Sequence, residues 1–273
     1  MVTTRAMSSL VLVDKPRPHV AQVTLNAPDR LNAMSFAFVE ALYAALDRVG
    51  RDNDAWVVVL TGAGRAFCAG LDLEDKAPPP GSEGMGLPRL AMRAMGYMSG
   101  VVPAMRNLQQ PVIAAVNGPA YGGGMCMTLG ADIRIAGESA VFCGAGVLNG
   151  LTASELGVTY LLPRAIGTSN ASWMLLTGAK VGAAEALRLG LVTQVVPDAS
   201  LVDEALGMAE RLCELSPFGI HMTKQTMWAN LEATSLTAAI ELENRNQLLA
   251  GYTGNLEEAK AAFREKRKPS YRD

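Results

Sequence analysis

The sequence predicts an α/β fold made of repeated β–β–α units, followed by an all-helical C-terminal region. Three observations carry that expectation. WVVVLTG (56–62) and PVIAAVNG (111–118) are apolar, β-branched runs of the kind buried on both faces of a sheet. Each runs into a glycine-rich turn and then a helix-like segment, so strand, turn and helix recur. After Pro197, helix-like segments at 200–215, 217–231, 234–250 and 255–267 run to the end. The chain therefore divides into an α/β core, residues 1–197, and a helical region, residues 198–273.

In chain order, SLVLVD and HVAQVTLN within 9–26 are two β-like runs separated by KPRP. PDRLNAM (28–34) is a loop. Ser35 is an N-cap for a helix to about Val49, with Phe36, Val39, Leu42, Leu46 and Val49 on one stripe. APPPGSEG (77–84) is a loop with three consecutive prolines. A single helix is expected over 88–109, with Met92, Met95, Met98 and Met105 as either core or a soft pocket wall. DIRIA (132–136), AVFC (140–143) and LVTQVV (191–196) are further strands. Between the last two, Thr152 and Glu155 have capping-box spacing.

Composition narrows the function. The 273 residues, 49% hydrophobic and 18% charged, suit a globular protein. A net charge of −2 gives no pull toward nucleic acid or an anionic membrane. The two histidines, His19 and His221, lie far apart, which argues against a histidine metal site or triad. Cys68, Cys126, Cys143 and Cys213 have no CxxC spacing and suit free thiols in a reducing compartment. MVTTRAMSSLVLVD has no apolar core long enough for a signal peptide. The span between Arg106 and Asp132 is uncharged and long enough to cross a bilayer. It holds Gln109, Gln110, Asn117, Pro111, Pro119 and the triple glycine 122–124, so a buried strand, turn and helix start account for it better. A cytoplasmic protein with no membrane segment and no nucleic-acid partner is expected.

Chemistry concentrates in NGPAYGGGMCMTLGADIRIA (117–136). Gly122, Gly123 and Gly124 precede a helix start, where free N–H groups and the dipole favour negative charge. They form either an anion site built from backbone or a close-packed turn. No GxGxxG fingerprint with a following acid and no GxxxxGK[ST] loop occurs.

GAGRAFCAGLDL (62–73), NAPDRLNAMS (26–35), LLPRAIG (161–167) and AFREKRKPSY (262–271) complete a set of ordered motifs. Together with 117–136 they resemble the crotonase superfamily, the enoyl-CoA hydratase/isomerase family, over nearly the whole chain. The resemblance implies a crotonase-like spiral of ββα repeats with a C-terminal helical trimerisation region, in a homotrimer or dimer of trimers. It implies an acyl-CoA substrate, no separate cofactor beyond the coenzyme A of that thioester, and no metal. By position, the backbone N–H groups of Leu71 and Gly123 form the oxyanion hole. Arg30, Ala33, the Ala69–Gly70–Leu71–Asp72–Leu73 turn, Gly122, Phe263 and Lys266 line the substrate. Lys266 alternatively belongs to a solvated basic helix end. Asp72 follows the oxyanion turn and suits pinning it; Glu74 and Asp75 suit the surface.

The chain departs from the hydratase pattern at two places. Hydratases carry two glutamates, one of which activates water while the other delivers a proton. The first position is Cys126 and the second, counted from Phe142, is Gly146. Cys126 is either a reactive thiol near a helix start or a small buried lining residue. One acid remains nearby. Glu155 matches an acid of dienoyl-CoA isomerases, at one inserted residue's distance from Phe142. It is either the remaining acid/base or the capping-box partner of Thr152. The expected activity is hydratase/isomerase chemistry on an acyl-CoA thioester, or failing catalysis, acyl-CoA binding alone.

Overall fold

The computed structural model describes residues 10–272. Most of the N-terminal stretch read for a signal peptide falls in residues 1–9, outside the described residues. Strands β1 (Val11–Arg17), β2 (Val20–Leu25), β3 (Val57–Gly62), β4 (Val112–Val116), β6 (Ile133–Gly137) and β9 (Gln194–Val196) form a six-stranded sheet in the order β1-β2-β3-β4-β6-β9. The β1–β2 pair is antiparallel and the rest are parallel. A small second sheet holds β5 (Pro119–Tyr121), β7 (Val141–Cys143) and β8 (Val181–Gly182), in the order β5-β7-β8.

The repeat is a spiral. After β2 comes Met34, bridged to Leu71, and then helix α1 (Phe36–Gly50). After β3 comes Cys68, bridged to Ala120, and then α2 (Leu87–Ser99) and α3 (Val101–Arg106). After β4 comes β5 and then α4 (Gly123–Gly130); after β6 comes β7 and then α5 (Val158–Ile166) and α6 (Thr168–Thr177). Each turn gives one strand to the large sheet and one short extended piece to the second layer. That is the ββα spiral of the crotonase fold.

Burial follows from the apolar runs. Val57 and Val59 of β3 face one side of the sheet and Val58 and Leu60 the other, and all four are buried. One side is covered by α1, whose Ser35 Oγ accepts from the Phe38 N–H at 3.1 Å and whose stripe buries Val39, Leu42 and Leu46. The other is covered by α8 (Leu201–Cys213) through Leu201, Ala205, Leu206 and Ala209. This first helix of the tail is therefore part of the core packing. The chain continues through α9 (Pro217–Asn230), α10 (Leu236–Gly251) and α11 (Asn255–Glu265). A short α7 (Ala183–Leu189) precedes β9. No described helix is long and apolar enough to cross a membrane.

Two expectations about elements are corrected. The methionine-rich segment is two helices, broken at Gly100, where a side chain would meet the Tyr43 hydroxyl at 2.5 Å. Met98 and Met105 lie in the core, whereas Met92 and Met95 are exposed, Met98 being the one buried residue of α2. Thr152 and Glu155 start no helix: Thr152 Oγ1 accepts from the Ser154 N–H at 3.3 Å, and α5 begins at Val158 after Gly157. The capping-box role of Glu155 is thereby excluded.

Candidate active site

The site lies at the carboxyl ends of β3 and β4, where parallel strands leave a crevice. The turn after β3, residues 63–71, lies against the segment after β4. A β-carbon on Gly124 would meet the Cys68 carbonyl at 2.1 Å, so only glycine permits this approach. Two asparagines tie the turn down. Asn32, fully buried, donates to the carbonyls of Ala63 (3.0 Å), Ala66 (2.9 Å) and Phe67 (3.2 Å) and accepts from the Ala27 N–H (2.8 Å). Asn117 accepts from the Gly62 N–H (3.0 Å) and donates to the Gly64 carbonyl (2.9 Å). Asn32 escaped the reading of the sequence, its only signal being an asparagine in a loop, a residue that tolerates left-handed backbone; its φ is 55°.

The Met34 N–H donates to the Gly70 carbonyl at 2.7 Å, and the Asp72 N–H to the Met34 carbonyl at 3.1 Å. Leu71 lies between them, so its own N–H points away from Met34. Gly123 is the first residue of α4, and no carbonyl lies a helical turn behind it. Neither N–H is hydrogen-bonded among the described residues. The two segments converge: the Gly123 nitrogen lies 3.5 Å from the point where Gly70 would carry a β-carbon.

Glu155 faces the same place. Its Oε1 lies 3.2 Å from the β-carbon position of Gly122, whose φ is +50°. The carboxylate is half-buried and forms no hydrogen bond or ion pair among the described residues, and burial pushes its pKa up. Only the backbone of Glu155 is held. Its carbonyl accepts from the Val158 N–H at 2.9 Å and from the Cys126 thiol at 3.6 Å. The next residue, Leu156, has φ 45°, a left-handed conformation that strains a branched side chain by roughly 1–2 kcal/mol. The turn thus presents a carboxylate toward the glycines on a fixed main chain.

The residues at the two positions where the resemblance leads one to expect glutamates have physical explanations. Cys126 is buried, and burial followed by the nearby Glu155 charge holds it as a thiol, against the reactive-thiolate alternative. Gly146 is in a 3₁₀ turn where a β-carbon would meet the Thr152 carbonyl at 2.0 Å, so this backbone excludes a glutamate. The neighbouring Cys68 thiol is likewise pushed up to about 12 by burial and accepts from the Gly70 N–H at 3.5 Å.

Several candidates have other partners. Arg30 is bonded to Asp72 and to Glu74 (2.8 Å), so its guanidinium already faces two carboxylates. Asp72 also accepts from the Glu74 N–H at 3.0 Å and pins the turn. Asp75, expected on the surface, accepts from the Phe36 N–H at 2.9 Å and braces the start of α1. Ala33 and Ala69 are half-buried near these bonds, whereas Leu73 is exposed. Phe263 is exposed on α11 and Lys266 follows it. No hydrogen bond or ion pair among the described residues joins α11 to residues 30–33 or 69–73.

The enoyl-CoA hydratase/isomerase family model matches residues 17–273. The chain belongs to this family. A probable enoyl-CoA hydratase of Mycobacterium tuberculosis is 50% identical over 270 residues, 98% of this chain and 95% of that protein. The crystal structure of a probable enoyl-CoA hydratase/isomerase from Mycobacterium abscessus superimposes with TM-score 0.92 at 48% identity, covering 97% and 99% of the two chains. A monofunctional enoyl-CoA isomerase from M. smegmatis gives 0.72 at 46% identity, covering 85% and 98%. The protein is thus a crotonase-fold enzyme of hydratase/isomerase type, a family whose substrates are acyl-CoA thioesters.

Proposed function

We propose that this enzyme moves a double bond along an acyl-CoA thioester, with Glu155 as the sole acid/base. The observation that carries this is the pairing of one unpartnered carboxylate with two unbonded N–H groups, while both hydratase carboxylate positions are empty of acids. The Leu71 and Gly123 N–H groups bind the thioester oxygen as negative charge develops on it. Each such donor contributes roughly 3–4 kcal/mol to the transition state when preorganised. Glu155 removes a proton from one carbon of the enoyl chain, giving the dienolate, and returns a proton to another. Net hydration needs a second group to activate water, and Gly146 offers none. The resemblance to an M. smegmatis protein described as a monofunctional enoyl-CoA isomerase favours the same direction.

In this reading Gly122, Gly70, Ala33, Ala69 and Leu73 line the thioester. Cys126 supports the Glu155 turn, while Arg30 and Asp72 hold the oxyanion turn in shape. The phosphates fall to Lys266 and the adenine to Phe263, supplied by a neighbouring subunit of a homotrimer or dimer of trimers. Exposed Leu236, Leu248, Tyr252 and Leu256 on the helical tail give such an assembly an apolar surface. No cofactor beyond the coenzyme A of the substrate is invoked. The test is a mass-spectrometric and NMR product screen with 3-enoyl-, 2-enoyl- and dienoyl-CoA thioesters. Positional isomers without a mass gain of water support isomerisation; 3-hydroxyacyl products at comparable rates contradict it. Binding of every thioester with no product supports an idle binder instead.

A further inference from the structure

Behind the Glu155 turn lies a cavity of about 790 Å³, walled by α3, α5 and α9. Leu156 and Gly157, which directly follow Glu155, form part of its lining, and a Leu156 methyl lies 3.7 Å from the β-carbon position of Gly123. One side chain therefore separates the cavity from the oxyanion turn. Two polar groups on its wall have no hydrogen-bond or ion-pair partner among the described residues. The Arg106 guanidinium carbon sits over the Trp228 ring, 3.6 Å from its centroid, and the group makes no hydrogen bond or ion pair among the described residues. A stacked guanidinium keeps its N–H donors in its own plane, free to grip a planar acceptor. The platform beneath it is fixed, because Trp228 Nε1–H donates to Asp132 Oδ1 at 2.7 Å. On the same wall, the Tyr160 hydroxyl is covered and has no hydrogen-bond partner among the described residues, an arrangement that costs stability while unsatisfied.

We propose that this cavity is a carboxylate-binding site, with Arg106 and Tyr160 as its donors. Glu232 lines the same cavity without pairing to Arg106, and competes for it. The carboxylate comes either from the far end of the acyl group, which rests on the thioester assignment above, or from a free carboxylic acid. The two sources are separable. The first arm titrates glutarate into the full-length protein by calorimetry, with Arg106→Gln, Tyr160→Phe and Glu232→Gln as variants checked for unchanged melting temperature. Binding is expected in the wild type, at least tenfold weaker in Arg106→Gln, several-fold weaker in Tyr160→Phe and tighter in Glu232→Gln. The second arm compares dissociation constants of ω-carboxy and ω-methyl enoyl-CoA thioesters of equal length. A tenfold loss in Arg106→Gln for the ω-carboxy ester alone assigns the site to the substrate's end. Glutarate binding that depends on Arg106, with both esters unaffected or unbound, assigns it to a free carboxylate and leaves the thioester assignment to be judged by its own screen. No glutarate binding together with no preference for the ω-carboxy ester overturns the proposal, as does a Glu232→Gln loss equal to that of Arg106→Gln.

Discussion

The Oε1 oxygen of Glu155 lies 3.2 Å from the point at which Gly122 would carry a β-carbon. This places the unpaired acid of the site against the residue preceding the proposed Gly123 donor. Gly122→Ala is expected to suffer twice, since φ +50° strains an alanine by roughly 1–2 kcal/mol and its methyl presses on the carboxylate. Turnover should fall at least tenfold, beyond what the shift in the urea midpoint explains. A variant with full kcat would show that the carboxylate position is unimportant.

Glu155→Gln keeps the shape and removes the proposed base. The expected loss in kcat is about 10²–10⁴-fold with little change in the dissociation constant for a CoA thioester. Stopped-flow binding and steady-state kinetics on the same preparations separate the two quantities. Equal losses in binding and turnover would point to a structural role.

The pH dependence has a defined sign. Burial raises the Glu155 pKa in the folded protein. The folded state therefore holds that proton more tightly than the unfolded chain, and this contribution to stability is lost as pH rises through the interval between the two values. The rate should move the opposite way, rising as the base ionises, with its acid limb above the ordinary glutamate range. Glu155→Gln should remove both the limb and that part of the stability slope.

Restoring a hydratase pair by Cys126→Glu and Gly146→Glu should fail. The second change forces a β-carbon to within 2.0 Å of the Thr152 carbonyl, and even Gly146→Ala should lose about 1–3 kcal/mol in chemical denaturation. A stable double variant that hydrates an enoyl-CoA would show that the 3₁₀ turn adapts.

Asn32→Ala leaves the Ala63 and Phe67 carbonyls and the Ala27 N–H without their side-chain partner in a buried turn, and leaves the Ala66 carbonyl with Asn117 alone at 3.3 Å. A loss of about 3 kcal/mol in unfolding free energy is expected, with thioester affinity falling as the Leu71 turn loosens. Unchanged affinity in a destabilised but folded variant would detach Asn32 from the site.

The sequence made much of this visible, for particular reasons. β3 and β4 were legible because both faces of each strand are buried, leaving uninterrupted apolar runs. Ser35 was legible as a cap because its hydroxyl bonds locally, three residues on. Glu155 was legible as an acid in the right neighbourhood but not as a free one: Thr152 three residues earlier mimics a capping box, and only the tertiary turn through Leu156 and Gly157 shows that no helix begins there. The pairing of Arg30 with Asp72 and Glu74 spans more than forty residues, so no local pattern encodes it. The split of the methionine helix was legible in principle from Pro103, which has no N–H to offer the Ser99 carbonyl, whereas the exclusion of a side chain at Gly100 depends on Tyr43, a residue of another helix.

In the proposed mechanism Glu155 alone shuttles the proton of a thioester dienolate held by Leu71 and Gly123. The most direct measurement is NMR of a 3-enoyl-CoA incubated in D₂O with the wild type and with Glu155→Gln. Deuterium entering the chain alongside double-bond migration in the wild type, and neither in Glu155→Gln, is the predicted result. Migration or exchange at wild-type rate in Glu155→Gln, or a 3-hydroxyacyl thioester as the main product, would contradict it.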